Sequence, residues 1–479
     1  MRAQLARLLR HSAVYGLTAL ASRIASFFLL PLFTRYLQPS DYGRIEILVA
    51  LVALLMPLLR AGVATSFFRF YYERDLAPDP ALVVRTAFWF NLYGAIAGTA
   101  IGLAVAAPLS RLLFGSDHYT ELVRVGFALL FVSMLYDQAT SLYRVEERTT
   151  EFAIAGLANL AITVTATIWF VVGLDGGATG AMLGNVSGTF LVLCVMIWRQ
   201  RRVLAPAFDR ELVRRMNAFG LPLLPAGLAL WVVDFSDRFF LGHIMDASAV
   251  GVYAVGVKLA SAMILVQLAF RTAWPAFAFS ISDDREARAA FSYVFTYIAF
   301  VGAWVSVALG LLAPWLVRLV AQPAFYGAER VVAPMSFAGA LLTAYTMIAV
   351  AITRSNRTGL TWLIAGAGAV VNVVVNLTLI PAIGIMGAAL ATVAAYAALV
   401  AGSVWWGSSI YPIPYQWRRV ATAATVGVVA CLGGRALHLP LAGALALALL
   451  YPVLLVPLRF YEPAERRRIL AIAGRIRPG

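Results

Sequence analysis

The chain has 479 residues, of which 62% are hydrophobic and only 13% charged, and its mean hydropathy is +0.83. A soluble domain carries about 25% charged residues, so this composition excludes a water-borne protein and predicts an all-α polytopic membrane protein. The net charge of +15 sits at alternate membrane boundaries and not on one soluble face, which argues against nucleic acid as a partner.

The first apolar run, 12–37, follows Arg2, Arg7 and Arg10. It superficially resembles a signal peptide. However, it is too long for an h-region, lacks a small-x-small cleavage site and carries Arg23 near its midpoint, so it reads as a retained spanning helix. Pro31 bends it and the turn Gln38–Gly43 ends it. Thirteen further spans are expected at 44–68, 84–108, 121–143, 151–173, 178–198, 214–242, 247–275, 290–318, 329–352, 359–381, 385–408, 416–437 and 440–458, giving fourteen transmembrane helices. The breaks on the side of both termini hold 26 basic residues and the opposite breaks hold 8. The positive-inside rule therefore places both termini in the cytoplasm. Neither cysteine, Cys194 or Cys431, suggests a disulfide or a metal site, and the four histidines show no HxxxH or HExxH spacing. No metal or cofactor is expected.

A weak internal repeat runs through the chain. Gly156 matches Gly366, and Gly180-Ala181-Met182-Leu183 matches Gly387-Ala388-Ala389-Leu390. Gly16 likewise matches Gly220, and Gly43 matches Gly251. The matched spans run in the same direction, so spans 1–6 and 7–12 form two lobes related by a parallel repeat, with a substrate site between the lobes. The expected organisation is an N-lobe at 1–198, a basic cytoplasmic linker at 199–215, a C-lobe at 216–410, two extra spans within 411–458, and a basic tail at 459–479. The tail is either a surface helix on anionic lipid or an ordinary positive-inside anchor.

Four cations fall inside spans: Arg23, Arg60, Lys258 (the only lysine) and Arg271. A charge at the bilayer centre costs about 2.5–3.5 kcal/mol on insertion scales, so each faces water, a partner or a ligand. Guanidinium forks suit phosphate oxygens, and these four are the candidates for gripping a diphosphate. Structural pairing or snorkelling toward the cytoplasm are the alternatives. Asp137, Asp234 and Asp237 are embedded or nearly so and are the candidates for ion coupling, although Asp234 and Arg238, four apart, can simply pair on one helix face. Asn159, Asn185, Asn372 and Asn376 either pack helices together or line a cavity. Gly220-Leu221-Pro222 and Pro225 mark a bend in span 7.

The first seventy residues, with Gly16, Pro31–Leu37, Asp41-Tyr42-Gly43, Gly62 and Arg69-Phe70, resemble the polysaccharide-unit flippases of the multidrug/oligosaccharidyl-lipid/polysaccharide exporter superfamily. The fourteen-span plan, two six-helix lobes plus two extra helices, extends that resemblance over nearly the whole chain and implies a MATE-like fold. It implies a transporter, not an enzyme, moving an undecaprenyl-diphosphate-linked oligosaccharide across the inner membrane of a bacterium or archaeon by alternating access. It further implies functional cations on spans 1, 2 and 8, where Arg23, Arg60 and Arg271 lie, and a lipid-tail groove at 416–458. The partners implied are the lipid-linked oligosaccharide, membrane lipids and polysaccharide polymerase or assembly proteins. A cation-coupled drug antiporter of the same fold is the first alternative, although cations outnumber carboxylates here. A membrane polymerase or ligase is the second, and it would need a larger external loop than the break at 108–120.

Overall fold

The computed structural model describes residues 29–73, 75–77, 79–281, 283–354, 361–463, 465 and 467. Every regular element among them is helical. Helical residues 29–36 (α1) close the first apolar run. They are followed by α2 (Pro39–Arg60), α3 (Val63–Tyr72), α4 (Pro80–Ala104), α5 (Ala106–Phe114), α6 (Thr120–Val145), α7 (Thr149–Ile168), α8 (Gly177–Gln200), α9 (Arg210–Gly220) and α10 (Leu224–Ile244). Next come α11 (Ala247–Ala260), α12 (Ile264–Ser280), α13 (Asp284–Val320), α14 (Glu329–Arg354), α15 (Thr361–Ile383), α16 (Ile385–Ile410), α17 (Trp417–Ala436) and α18 (Leu441–Leu454).

Local sequence explains several helix ends. Pro39 and Pro80 open α2 and α4, where a fixed φ helps and a missing N–H costs nothing. Asp79 caps α4 by accepting from Ala81 N–H at 2.8 Å, and Asp209 caps α9 by accepting from Glu211 and Leu212 N–H at 2.8 and 3.1 Å. Gly115, at φ +70°, ends α5 in the left-handed conformation that glycine adopts freely.

Eleven stretches among the described residues are long and apolar enough to cross a bilayer, from Pro39–Arg60 through Ile385–Ile410. They coincide with the second to twelfth expected spans, so the protein is a multi-pass membrane protein. Of the first expected span, residues 12–28 and hence Arg23 lie outside the described residues. The last two expected spans are helices as well. However, α17 has 20 residues and carries Arg418, Arg419 and Arg435, and α18 has 14 residues.

The helices form two compact units. The first comprises the described parts of 1–255, 320–327 and 359–395. Its central helix is α6, two thirds of whose apolar window is buried against α2, α4 and α8, whereas only 17% of the α7 window is covered. Uncovered apolar surface is stable there only if lipid replaces water. The second unit comprises the described parts of 256–319, 328–358 and 396–479. Its long helix α13 has 37 residues, about 55 Å at 1.5 Å per residue, and so extends past a hydrocarbon layer of about 30 Å. Phe300 of α13 packs with Tyr451 and Phe460 in one aromatic core, and Trp274 of α12 packs with Phe291 in another.

Candidate functional site

Arg60 is the last residue of α2, and the chain breaks there. Pro57 removes a helical hydrogen bond one turn earlier, and Ala61 leaves the helix at φ +46°, a region that costs an L-residue energy. The break is seated on the α9–α10 junction. Gly62 N–H donates to Asn217 Oδ1 at 2.9 Å, and a Cβ on Gly220 would stand 2.0 Å from the Gly62 carbonyl oxygen. Only bare backbone fits, which gives the expected bend at Gly220-Leu221-Pro222 a partner.

At this break Arg60, 8% exposed, forms an ion pair with Asp137 of α6. Its other terminal nitrogen lies 3.4 Å from Gln138 Oε1, which also accepts from Asn91 Nδ2 of α4 at 2.8 Å. Arg144, two turns beyond Asp137 on α6, brings a second guanidinium to 3.8 Å from the same carboxylate. Two arginines thus share one aspartate, so the cluster keeps a net positive charge. The Nε atoms of Arg60 and Arg144 are buried with no acceptor among the described residues. The cluster is therefore rich in donors and short of acceptors, the arrangement that receives an anion. Asp137, a candidate for ion coupling from the sequence, is here the partner of Arg60, a candidate for diphosphate binding.

A second charged cluster lies at the other end of α2. Asp237 and Arg238 of α10 are 1% and 6% exposed and pair at 2.7 Å. Arg238 also donates to the main-chain carbonyl of Asp234 at 2.6 Å and lies 4.0 Å from Glu46 of α2. The hydroxyl of Tyr253, on α11, donates to the remaining oxygen of Asp237. The expected four-residue partnership of Asp234 with Arg238 is thus made through the Asp234 backbone, and the Asp234 residue itself is exposed. Beside it, Ser236 donates to Asn372 Oδ1 at 3.0 Å, and Asn376 Nδ2 donates to the same oxygen at 2.9 Å, which links α10 to α15. Asn372 and Asn376 therefore serve helix packing.

The remaining candidates belong to the second unit. Lys258 is half-buried in the last turn of α11, where the helix gives way to a 3₁₀ turn at Ser261–Met263 and Ser261 Oγ donates to the Lys258 carbonyl at 2.6 Å. The expected continuous span at 247–275 is thus broken immediately after its lysine. Arg271 lies on α12, and its side chain is outside the described residues.

Sequence reasoning missed Arg144, Gln138 and Asn91. Arg144 is one of the 26 basic residues counted at the cytoplasmic breaks, yet its seven-residue spacing from Asp137 places both on one face of α6. Asn91 and Gln138, buried at 0% and 2%, gave no charge signal at all.

The profile of the family described as polysaccharide biosynthesis protein matches residues 32–328, more than half of the chain. A succinoglycan biosynthesis transport protein of Rhizobium meliloti is 24% identical over 305 residues, covering 62% of this chain and 58% of its own length. An Lsg-locus protein of Haemophilus influenzae is 22% identical over 267 residues, covering 53% and 61%. The chain thus spans about three fifths of the length of these curated relatives. Among solved structures, the lipid II flippase MurJ aligns with a TM-score of 0.73 at 14% identity, covering 93% of this chain and 99% of that one. An inward-facing multidrug resistance MATE transporter aligns with a TM-score of 0.66 at 15% identity, covering 86% and 99%. At these identities the likeness shows the fold. The profile match over α1 to α13 shows the lineage, and the chain belongs to the polysaccharide biosynthesis protein family, with a fold like those of MurJ and the MATE transporter.

Proposed function

We propose that this protein is a flippase that carries an undecaprenyl-diphosphate-linked oligosaccharide from the cytoplasmic to the periplasmic leaflet of the inner membrane for cell-surface polysaccharide synthesis. The observation that carries the reading is the Arg60–Asp137–Arg144 cluster. It is a partly buried set of donors with surplus positive charge, placed at a break in a membrane helix. A diphosphate supplies the acceptors that the two Nε atoms lack and neutralises the surplus, and guanidinium forks match its oxygens. Flipping makes and breaks no covalent bond, so the work lies in holding the head group while access alternates between lobes 1–198 and 216–410. Arg23, Lys258 and Arg271 would extend the grip. Both termini would face the cytoplasm, and a polymerase acting on the delivered glycan would be the downstream partner.

The test is translocation of lipid-linked oligosaccharide in proteoliposomes, comparing wild type with Arg60→Ala, Arg144→Gln and Arg23→Ala at matched expression and folding. Loss of at least about tenfold in rate, the equivalent of one charge-assisted contact, is expected for Arg60→Ala. Unchanged flipping in all three variants would remove the cation-lined site.

The pairing of Asp137 with Arg60 favours one second reading, a cation-coupled antiporter in which protonation of Asp137 frees the arginine. Drug efflux by wild type without oligosaccharide flipping, abolished in Asp137→Asn, would select it.

A further inference from the structure

Behind the Arg60 cluster stands a row of buried amides. Exposure rises outward along it, from 0% for Asn91 of α4 and 2% for Gln138 of α6 to 8% for Arg60 and 42% for the Asp137 side chain. The open side of the cluster is thus at Asp137, and the closed side is at Asn91.

One main-chain atom fixes the donor and acceptor roles along the row. The Ala87 carbonyl, one turn before Asn91 on α4, only accepts, and Asn91 Nδ2 lies 2.9 Å from it. Asn91 therefore presents its NH2 group, whose second hydrogen donates to Gln138 Oε1 at 2.8 Å. Gln138 must in turn present its oxygen. That oxygen accepts from the Arg60 guanidinium, where an NH2 group would oppose it. The same helix also bears on the backbone of α2. A Cβ on Gly94, three residues beyond Asn91, would stand 3.0 Å from the carbonyl oxygen of Leu59, the residue before Arg60.

The row costs more than packing requires. Asn91 Oδ1 is buried with no donor among the described residues, and two aliphatic side chains would join α4 to α6 without that penalty. What the amides add is direction. Gln138 is also neutral. A glutamate there would accept the same two hydrogen bonds, yet it would bring a second carboxylate to Arg60 and Arg144 and cancel their surplus charge. We propose that Asn91 is a positioning residue, which acts through Gln138 to aim the Arg60 guanidinium at a phosphate-bearing head group, and that the neutral amide at 138 keeps the cluster positive for that anion. The identity of the head group rests on the flippase reading.

The experiment titrates undecaprenyl diphosphate onto the full-length protein in detergent, records Tm for each variant, and follows translocation in proteoliposomes separately. Gln138→Glu is expected to weaken the binding midpoint at least about tenfold without lowering Tm. Asn91→Leu should weaken it about tenfold, the scale of one charge-assisted hydrogen bond, and Gln138→Leu, which cuts the same link from α6, should match it. In an Arg60→Ala background Asn91→Leu should have no further effect, because it acts through that arginine. A merely structural role would lower Tm and the amount of competent protein, with the midpoint unmoved. An unmoved midpoint in Gln138→Glu, or the same loss from Asn91→Leu with and without Arg60, would overturn the inference. Binding with the expected variant pattern but no translocation by wild type would remove the flippase reading and leave the positioning role standing. Translocation by wild type with unmoved midpoints would do the reverse.

Discussion

Arg60 and Asp237 are both membrane charges with partners, but they are settled differently. Asp237 is enclosed by Arg238, Tyr253 and a main-chain N–H, with Glu46 nearby, and every bond it makes is internal. Removing its charge strands Arg238 in the interior, and breaking a buried pair costs about 3–5 kcal/mol. Asp237→Asn should therefore lower thermal stability in detergent sharply whatever it does to transport. Arg60 shares a carboxylate that is 42% exposed, so Arg60→Ala should cost only about 2 kcal/mol of stability while affecting translocation more. If Arg60→Ala unfolds the protein as badly as Asp237→Asn, the two clusters are both structural. Arg60 stood out in the sequence because it falls inside an expected span, nine residues short of Arg69 and sixteen past Arg44, where a charge must be accommodated. Its partner was not legible, because pairing between α2 and α6 is a tertiary fact separated by 77 residues.

At the scale of elements, the breaks in α2 and after α11 are the features that hydropathy did not forecast. Pro57 and Gly62 punctuate the first, whereas Ser261-Ala262-Met263 contains no residue that ends a helix, and packing alone must set that 3₁₀ turn. Ala61→Gly should raise stability by about 1 kcal/mol by relieving the φ +46° backbone, as seen in a higher Tm. Beyond α18, Glu465 and Glu462 are held by Arg419 of α17, 8% exposed, at 2.9 and 3.2 Å. Burial pushes the Glu465 carboxyl up. Hydrogen bonds from the Glu462 backbone, Tyr297, Tyr293 and Arg419 outweigh it and hold the group below its ordinary range. A lowered folded value gives stability that is present above the unfolded value of about 4.3 and lost as pH falls through the folded one. Protease cleavage near Glu465 should therefore quicken on acidification below about pH 4.3, and the increase should be smaller in Glu465→Gln.

For the whole molecule, the apolar runs carried most of the information. Eleven described helices stand where the second to twelfth spans were expected, because a bilayer demands about 20 apolar residues whatever the tertiary contacts. α17 and α18 were harder to read as spans, since three arginines interrupt one and 14 residues make the other short. The charge bias of 26 against 8 yields a direct test of topology. In a cysteine-free background, Arg202→Cys should react with an impermeant maleimide only after the membrane is opened, and His118→Cys should react in intact cells. Equal labelling of both would refute the assigned orientation.

The repeat-related glycines Gly43 and Gly251 have a further consequence. A Cβ on Gly43 would lie 1.7 Å from the Ala247 carbonyl oxygen, and one on Gly251 would lie 2.0 Å from that of Pro39. Each glycine therefore sits against the residue four before the other, a reciprocal contact with local two-fold symmetry between α2 and the start of α11. The three atoms nearest either Cβ are all main chain. Backbone meeting backbone at these two points has no charge to strip of water and no rotamer to reset. Parting the two forfeits about two weak C–H···O contacts, on the order of 1–2 kcal/mol. If α2 and α11 part during transport, such a joint would close tightly and reopen cheaply, like a bare metal hinge. Gly43→Ala or Gly251→Ala would wedge it permanently ajar.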